Sequence, residues 1–272
     1  MGESIGADDR RCLQVRREVV RRLHAGSASH LGSNMSMVEI LVAIYSTVDI
    51  EGIAVHKRTR DRVVVSKGHA AAATYATLAE FGILDAEVLR TYHTNGTLLA
   101  GHVSHAVTGV EHSTGALGHG LNVALGMAIG LSVLDPDARV FCVCGDGEIQ
   151  EGSNWEALML WSHLGLKNLV LAIDHNRISS ITRTHSVINM DPLAERFAGF
   201  GFRAVTVDGH DVSAIQAVFD TASSADRPTV VVCETTKGKG IPFAEDDPIW
   251  HYRTLNDELL AVALAALQDE ED

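Results

Sequence analysis

No stretch of about 18 uninterrupted apolar residues occurs in the 272-residue sequence, so no transmembrane helix is expected. The N-terminus lacks a basic stretch followed by an apolar one, and it shows no secretory signal. Cysteine is scarce. Cys12, Cys142, Cys144 and Cys233 form no Cys-x-x-Cys pair. Cys142 and Cys144 lie two apart in a strand-like run, so both point to one face, and all four read as buried free thiols. Such thiols fit a cytoplasmic protein. Positive charge is in deficit. The 22 Lys and Arg face 35 Asp and Glu, a formal net charge of −13. That balance excludes a nucleic-acid binder that works by neutralising phosphates. The local cluster Arg10, Arg11, Arg16, Arg17, Arg21 and Arg22 reads as a solvated helix face.

What is present is an ordinary globular mixture, 46% hydrophobic and 21% charged, in a chain long enough to bury a sizeable core. β-Branched runs recur at 62–66, 139–144, 169–174, 203–208 and 229–234, separated by helical patterns. Strands that alternate with helices and are apolar nearly throughout predict an α/β fold. It is doubly wound, with a mainly parallel sheet and helices on both faces. Cys12, Val15, Val19 and Leu23 give a helix over 8–24 its apolar stripe. A second helix over 35–48 is apolar almost all round and should be buried. A third runs from after Gly115 to about Val133 and carries Gly118, Gly120, Gly126 and Gly130. Each interior glycine weakens a helix by up to about 1 kcal/mol, so their use is close approach to another backbone or to a ligand. Ser153 and Glu156 form a capping box for the helix that carries Trp155, Leu158, Trp161 and Leu164. No linker or repeat is visible. A single domain over 1–272 is expected, with a short mobile acidic tail at 268–272.

The second strand stops at Gly145-Asp146-Gly147, which puts a carboxylate at the carboxyl edge of the sheet, where open α/β sheets bind ligands. The flanking glycines let the backbone approach a bulky anion. The next strand ends at Asp174-His175-Asn176. Adjacent parallel strands bring Asp146 and Asn176 side by side. A carboxylate and an amide oxygen, completed by phosphate oxygens or water, suit an octahedral Mg²⁺.

Gly145-Asp146-Gly147 with Asn176 resembles the signature of thiamine-diphosphate enzymes. Other segments resemble the transketolase branch: Ser29-His30-Leu31-Gly32-Ser33, Ser66-Lys67-Gly68-His69-Ala70, Gly101-His102, Thr114 to Gly120, Glu151-Gly152, Lys237-Gly238-Lys239-Gly240 and Trp250-His251. They occur in the family's order over about residues 10–265. The chain is identified as resembling the diphosphate-binding subunit of a split transketolase. Departures are Leu31 and Val103 where proline is usual, His175 where Asn or Asp is common, and Ser179-Ser180-Ile181 after the metal site.

The resemblance implies thiamine diphosphate and Mg²⁺ as cofactors. Asp146, Asn176 and the backbone carbonyl of Ile178 would bind the metal. Gly145, Gly147, Lys237 and His251 would lie toward the diphosphate, and Gly115 and Leu117 toward the rest of the cofactor. His30, His69 and His102 would line the channel over the thiazolium ring, where neutral imidazoles bind sugar hydroxyls and move protons. Glu151 would face a partner chain, linking two active sites. Lys237 and Lys239 read either as lid residues or as parts of a mobile glycine-rich loop. A zinc site from His102, His105 and His112 lacks the usual context.

In the family, a glutamate that activates the cofactor belongs to a pyrimidine-binding domain, for which this sequence has no residues left. A separate partner chain is therefore expected to supply that domain and a C-terminal domain, in an α₂β₂ assembly acting on sugars or sugar phosphates. Two other readings stay open. One is an α-chain of a 2-oxo acid dehydrogenase, and the other is a non-catalytic chain that only scaffolds a partner.

Overall fold

The computed structural model describes residues 6–268, so residues 269–272 of the expected tail lie outside the described residues. Five strands form one sheet: β1 (Arg62–Val65), β2 (Val140–Gly145), β3 (Leu169–His175), β4 (Arg203–Asp208) and β5 (Thr229–Glu234). Their order is β1-β2-β3-β5-β4, and every pair is parallel. Side chains alternate between two cores, as the two-residue period of a strand requires. Val63, Val65, Phe141, Val143, Val170 and Ala172 pack with the helices Ala7–Ala25, Val38–Tyr45 and Ala71–Glu80. Val64, Val140, Cys142, Leu171 and Ile173 pack on the other face with Leu121, Leu125, Leu158 and Trp161. Each fully buried branched side chain contributes roughly 1.5–3 kcal/mol relative to exposure. Both faces are covered, as the apolar runs predict.

Cys142 and Cys144 share a face, with their sulfurs 3.9 Å apart, and all four cysteines are free and buried. β4 departs from the expectation of full burial. It is one of the two edge strands, half-buried along most of its length. No helix among the described residues is long and apolar enough to cross a membrane.

Three local expectations need correction. The helix expected over 35–48 is split into Leu31–Met35 and Val38–Tyr45. At the break, the Ser36 hydroxyl turns to Asp174 at 2.6 Å. The glycine-rich helix starts at Gly120, not just after Gly115, because Gly115 (φ 152°) and Gly118 (φ 84°) hold non-helical backbone. The capping box at Ser153 does not form. The helix spans Gly152–Leu164 and has no side-chain cap, while the Ser153 hydroxyl donates to the Gly118 carbonyl at 2.7 Å. A loop distant in sequence thus takes the hydroxyl that local pattern assigned to the helix end.

Candidate active site

The register of β2 and β3 sets Gly145 opposite Asp174, and the Asp146 amide donates to the Asp174 carbonyl at 3.2 Å. This ties the two strand tips together. Asp146 is 5% exposed. One carboxylate oxygen accepts from the Gly147 amide at 2.7 Å, and the other accepts from the Arg177 amide at 2.5 Å. Burial first, and the charge of Asp174 second, push its pKa up to about 7. Its nearest donors are neutral amides, so this buried carboxylate has room for an external cation. Asn176 is also buried. Its amide oxygen accepts from the Ile178 amide at 3.1 Å and keeps a second lone pair. Asp146, Asn176 and Ile178 line one cleft of about 460 Å³. Among the described residues, no group of three or more His, Cys, Asp or Glu side chains could hold a metal ion. The oxygen set here is one carboxylate, one amide and one carbonyl. The set is of the kind Mg²⁺ takes when phosphate and water complete its shell, with the Ile178 carbonyl sharing its lone pairs with the Lys237 ammonium at 3.1 Å.

The cleft wall is built from histidines. The His30 ring centroid lies 5.3 Å from His69, 5.8 Å from His102 and 4.8 Å from His251. His30 adopts left-handed backbone (φ 73°) where the chain enters the Leu31–Met35 helix, and its amide donates to the His251 carbonyl at 3.1 Å. A non-glycine residue in that region is strained and persists only where its surroundings hold it. Burial, then the charges of His102, Lys237 and Lys67, bring His30 down to about 4. Burial and Lys237 bring His251 to about 3. Burial and Lys67 hold His69 well below the usual range. These three imidazoles are therefore neutral at pH 7. Gly115 and Leu117 also line the cleft, and a Cβ on Gly115 would come within 3.0 Å of the His102 ring.

Lys237 is no mobile surface residue. It is 1% exposed, and its ammonium donates to the carbonyls of Ile178 at 3.1 Å and Ser179 at 2.8 Å. Burial and the charge of Lys67 lower its pKa to about 8. The following Gly238 (φ 82°) cannot be replaced without collision, since a Cβ would fall 2.2 Å from the Ala244 carbonyl oxygen. Lys239 is half-buried and lies outside the cleft, its carbonyl accepting from Arg16 at 3.2 Å. Glu151 is exposed and is not among the residues that line the cleft.

Three residues without an assigned role in the motif reading belong to this site. Glu148 is 2% exposed and accepts from the Ser66 hydroxyl and from the amides of Gly118 (3.0 Å) and Gly145 (3.3 Å). It thereby ties the β1 tip, the 118 loop and the β2 tip together. Lys67, which lines the cleft, forms a fully buried ion pair with Asp174 behind it. Lys67 stood within a family segment, and Glu148 directly follows Gly145-Asp146-Gly147. Proximity to the motif was the available signal.

The family described as transketolase, thiamine diphosphate binding domain, matches residues 8–267. One chain of the apulose-4-phosphate transketolase of Actinobacillus succinogenes, named as a subunit of that enzyme, is 35% identical over 265 residues, covering 96% of each chain. A 6-deoxy-6-sulfo-D-fructose transketolase subunit of a Clostridium species is 32% identical, over 95% of this chain and 97% of its own. The solved transketolase of Leishmania mexicana superposes with a TM-score of 0.86 at 26% identity. That match covers 98% of this chain and 43% of the larger one. On this fold and these matches, the chain belongs to the transketolase family, as its thiamine-diphosphate-binding domain.

Proposed function

We propose that this chain is the diphosphate-binding subunit of a two-chain, cytoplasmic transketolase. It moves a two-carbon ketol unit from a ketose or ketose phosphate to an aldehyde, together with a partner that carries the pyrimidine-binding domain, in an α₂β₂ assembly. The observation that carries the reading is one cleft lined by both strand-tip oxygens and by His30, His69, His102 and His251. Relatives named as single subunits of a transketolase, matched over nearly their whole length, support the need for a partner. Membership of the transketolase family supports ketol transfer over the 2-oxo acid dehydrogenase reading.

In this proposal Asp146, Asn176 and the Ile178 carbonyl hold Mg²⁺. Gly145, Gly147, Lys237 and His251 face the diphosphate, and Gly115 and Leu117 face the remainder of the cofactor. Thiamine diphosphate, when bound, supplies the carbanion-stabilising chemistry. The protein supplies position and protons. Neutral His30 and His69 have nitrogens free to accept a proton from a substrate hydroxyl or return one at pH 7. The Lys237 ammonium offers positive charge to a phosphate where burial strengthens the attraction. Glu151, exposed and outside the cleft lining, faces the partner in this reading.

The test is calorimetric titration of thiamine diphosphate with Mg²⁺ into the chain and its partner, with Asp146→Ala as comparison. Wild type is expected to bind only with a divalent cation. Asp146→Ala should lose at least about 100-fold in affinity, the upper end for lost metal-site groups, with an unchanged circular dichroism spectrum. Equal binding by the variant would overturn the site, and no binding by wild type would favour the scaffold reading.

A further inference from the structure

The oxygen and the nitrogen of a primary amide are not interchangeable at a metal site. Only the oxygen binds a cation, and something must decide which way the amide of Asn176 faces. Asp174 makes that decision. It is 0% exposed, lies on β3 and stands two residues before Asn176, which directly follows the strand. In extended backbone, residues two apart project to the same face. One Asp174 oxygen accepts from the Asn176 amide nitrogen at 3.0 Å, from the Ser36 hydroxyl at 2.6 Å and from the Lys67 ammonium. Its other oxygen accepts from the Thr235 hydroxyl. An ionised carboxylate can only accept, so the atom of Asn176 that meets it must be the NH₂ group. Turned the other way, the amide would set oxygen against oxygen and lose a charge-assisted hydrogen bond. The Asn176 oxygen is left pointing away from Asp174 and accepts from the Ile178 amide, in a residue that lines the cleft.

We propose that Asp174, held by Lys67, Ser36 and Thr235, is a positioning residue that locks the Asn176 amide with its oxygen toward a divalent cation. This rests on the reading that Asp146 and Asn176 hold such a cation. Asp174 does not line the cleft itself, so it acts through Asn176. The network draws on four separate parts of the chain. The Lys67 ammonium also donates to the Ser33 carbonyl at 3.0 Å, which couples the β1 tip and the 30–36 segment to the same amide.

The test uses Mn²⁺ with thiamine diphosphate as the probe, the free metal being read by electron paramagnetic resonance, on the full chain in complex with its partner. Asp174→Asn is expected to weaken Mn²⁺ binding by about 10- to 100-fold, the usual effect of losing a partner that orients a metal ligand. Asn176→Asp should also bind more weakly, although a carboxylate is the better ligand, because two carboxylates then face each other. The exchanged pair Asp174→Asn with Asn176→Asp keeps one carboxylate and one amide in contact, and recovery to within about fivefold of wild type is expected. If Asp174→Asn fails to fold by circular dichroism, Asn176→Asp, which keeps the Lys67–Asp174 pair, decides the matter alone: Mn²⁺ affinity at or above that of wild type would overturn the positioning role. Unchanged Mn²⁺ affinity in Asp174→Asn, or an exchanged pair no better than Asn176→Asp alone, would overturn the positioning role. No Mn²⁺ binding by wild type would overturn the cation site itself, and this inference with it.

Discussion

His30, His69 and His251 are kept neutral by two physical effects, burial and nearby positive charge, and these can be separated one residue at a time. Burial is the larger for His251, and the Lys237 ammonium is second, with 3.4 Å between its nitrogen and His251 Nδ1. An ammonium can only donate, so Nδ1 is the accepting, unprotonated nitrogen. Lys237→Met removes the charge and leaves the burial. The titration midpoint of His251, followed by NMR of labelled imidazole, should rise from about 3 but stay below the ordinary 6.5. A midpoint that does not move would show that Lys237 has no electrostatic hold on the site. The sign for stability is also set. A histidine with a lowered folded value costs nothing above 6.5, and its penalty grows as pH falls from 6.5 toward the folded value. His30 and His251 therefore both oppose folding only in acid, and both remain proton acceptors at pH 7.

Among elements, the helix Ala7–Ala25, the helix Val38–Tyr45 and the loop that carries Lys237 meet at one buried polar cluster. Arg16 pairs with Glu39 at 2.6 Å, and His210 Nδ1 lies 3.0 Å from Glu39. His210 Nε2 accepts from the Thr236 amide at 2.8 Å, so its proton sits on Nδ1 and points to Glu39. Burial alone would raise the Glu39 pKa, but the Arg16 charge and the hydrogen bonds of His210 and Arg16 hold it at about 2, against 4.5 unperturbed. A depressed carboxylate contributes its stability in full above 4.5 and loses it as pH falls from 4.5 to about 2. At about 1.4 kcal/mol per pH unit, the contribution is on the order of 3 kcal/mol. Glu39→Gln should cost about that much in urea denaturation at pH 7, and the gap to wild type should close toward pH 2. The glycines of the Gly120–Leu134 helix give a paired prediction. A Cβ on Gly120 would sit 2.3 Å from the Ser66 hydroxyl and 2.8 Å from its Cα, whereas one on Gly126 meets nothing within 4 Å. Gly120→Ala should destabilise by about 1–3 kcal/mol, and Gly126→Ala should stabilise by up to about 1 kcal/mol, both by thermal melting of the isolated chain.

The same elements show what could be read from the sequence. The strands are legible because burial on both faces writes itself as unbroken apolar runs, and Asp146 with Asn176 because both stand in a recognisable motif at strand ends. The break at Ser36 is not legible. Its cause is Asp174, 138 positions away. Lys67 and Asp174 likewise find each other only across 107 positions, so neither carries a local sign of its partner. Ser153 looked like a cap because local pattern cannot reveal that the Gly118 carbonyl approaches from another loop.

At the scale of the whole molecule, apolar side chains crowd the places where a partner would complete the site. Ile181 (73% exposed), Val187 (53%) and Tyr252 (61%) line the cleft mouth, and Val133 (85%) stands on the outer face of the Gly120–Leu134 helix. On that face Gly126 and Gly130 have no atom within 4 Å of the Cβ position. Gly120 uses its missing side chain to approach Ser66 within this chain, whereas Gly126 and Gly130 leave their surfaces open to an approach from another. Exposed apolar side chains at the mouth and on this helix are what a covering partner would bury. Covering the mouth would also remove water from the histidine wall, which strengthens every electrostatic contact inside it. The purified chain, given thiamine diphosphate, Mg²⁺, a ketose donor and an aldehyde acceptor, should therefore show no ketol transfer above background. Addition of the partner chain should restore turnover, and native mass spectrometry should find two copies of each. Full turnover by the chain alone would mean that the rim is substrate-facing rather than partner-facing, and that every group needed for transfer already lies within this one polypeptide.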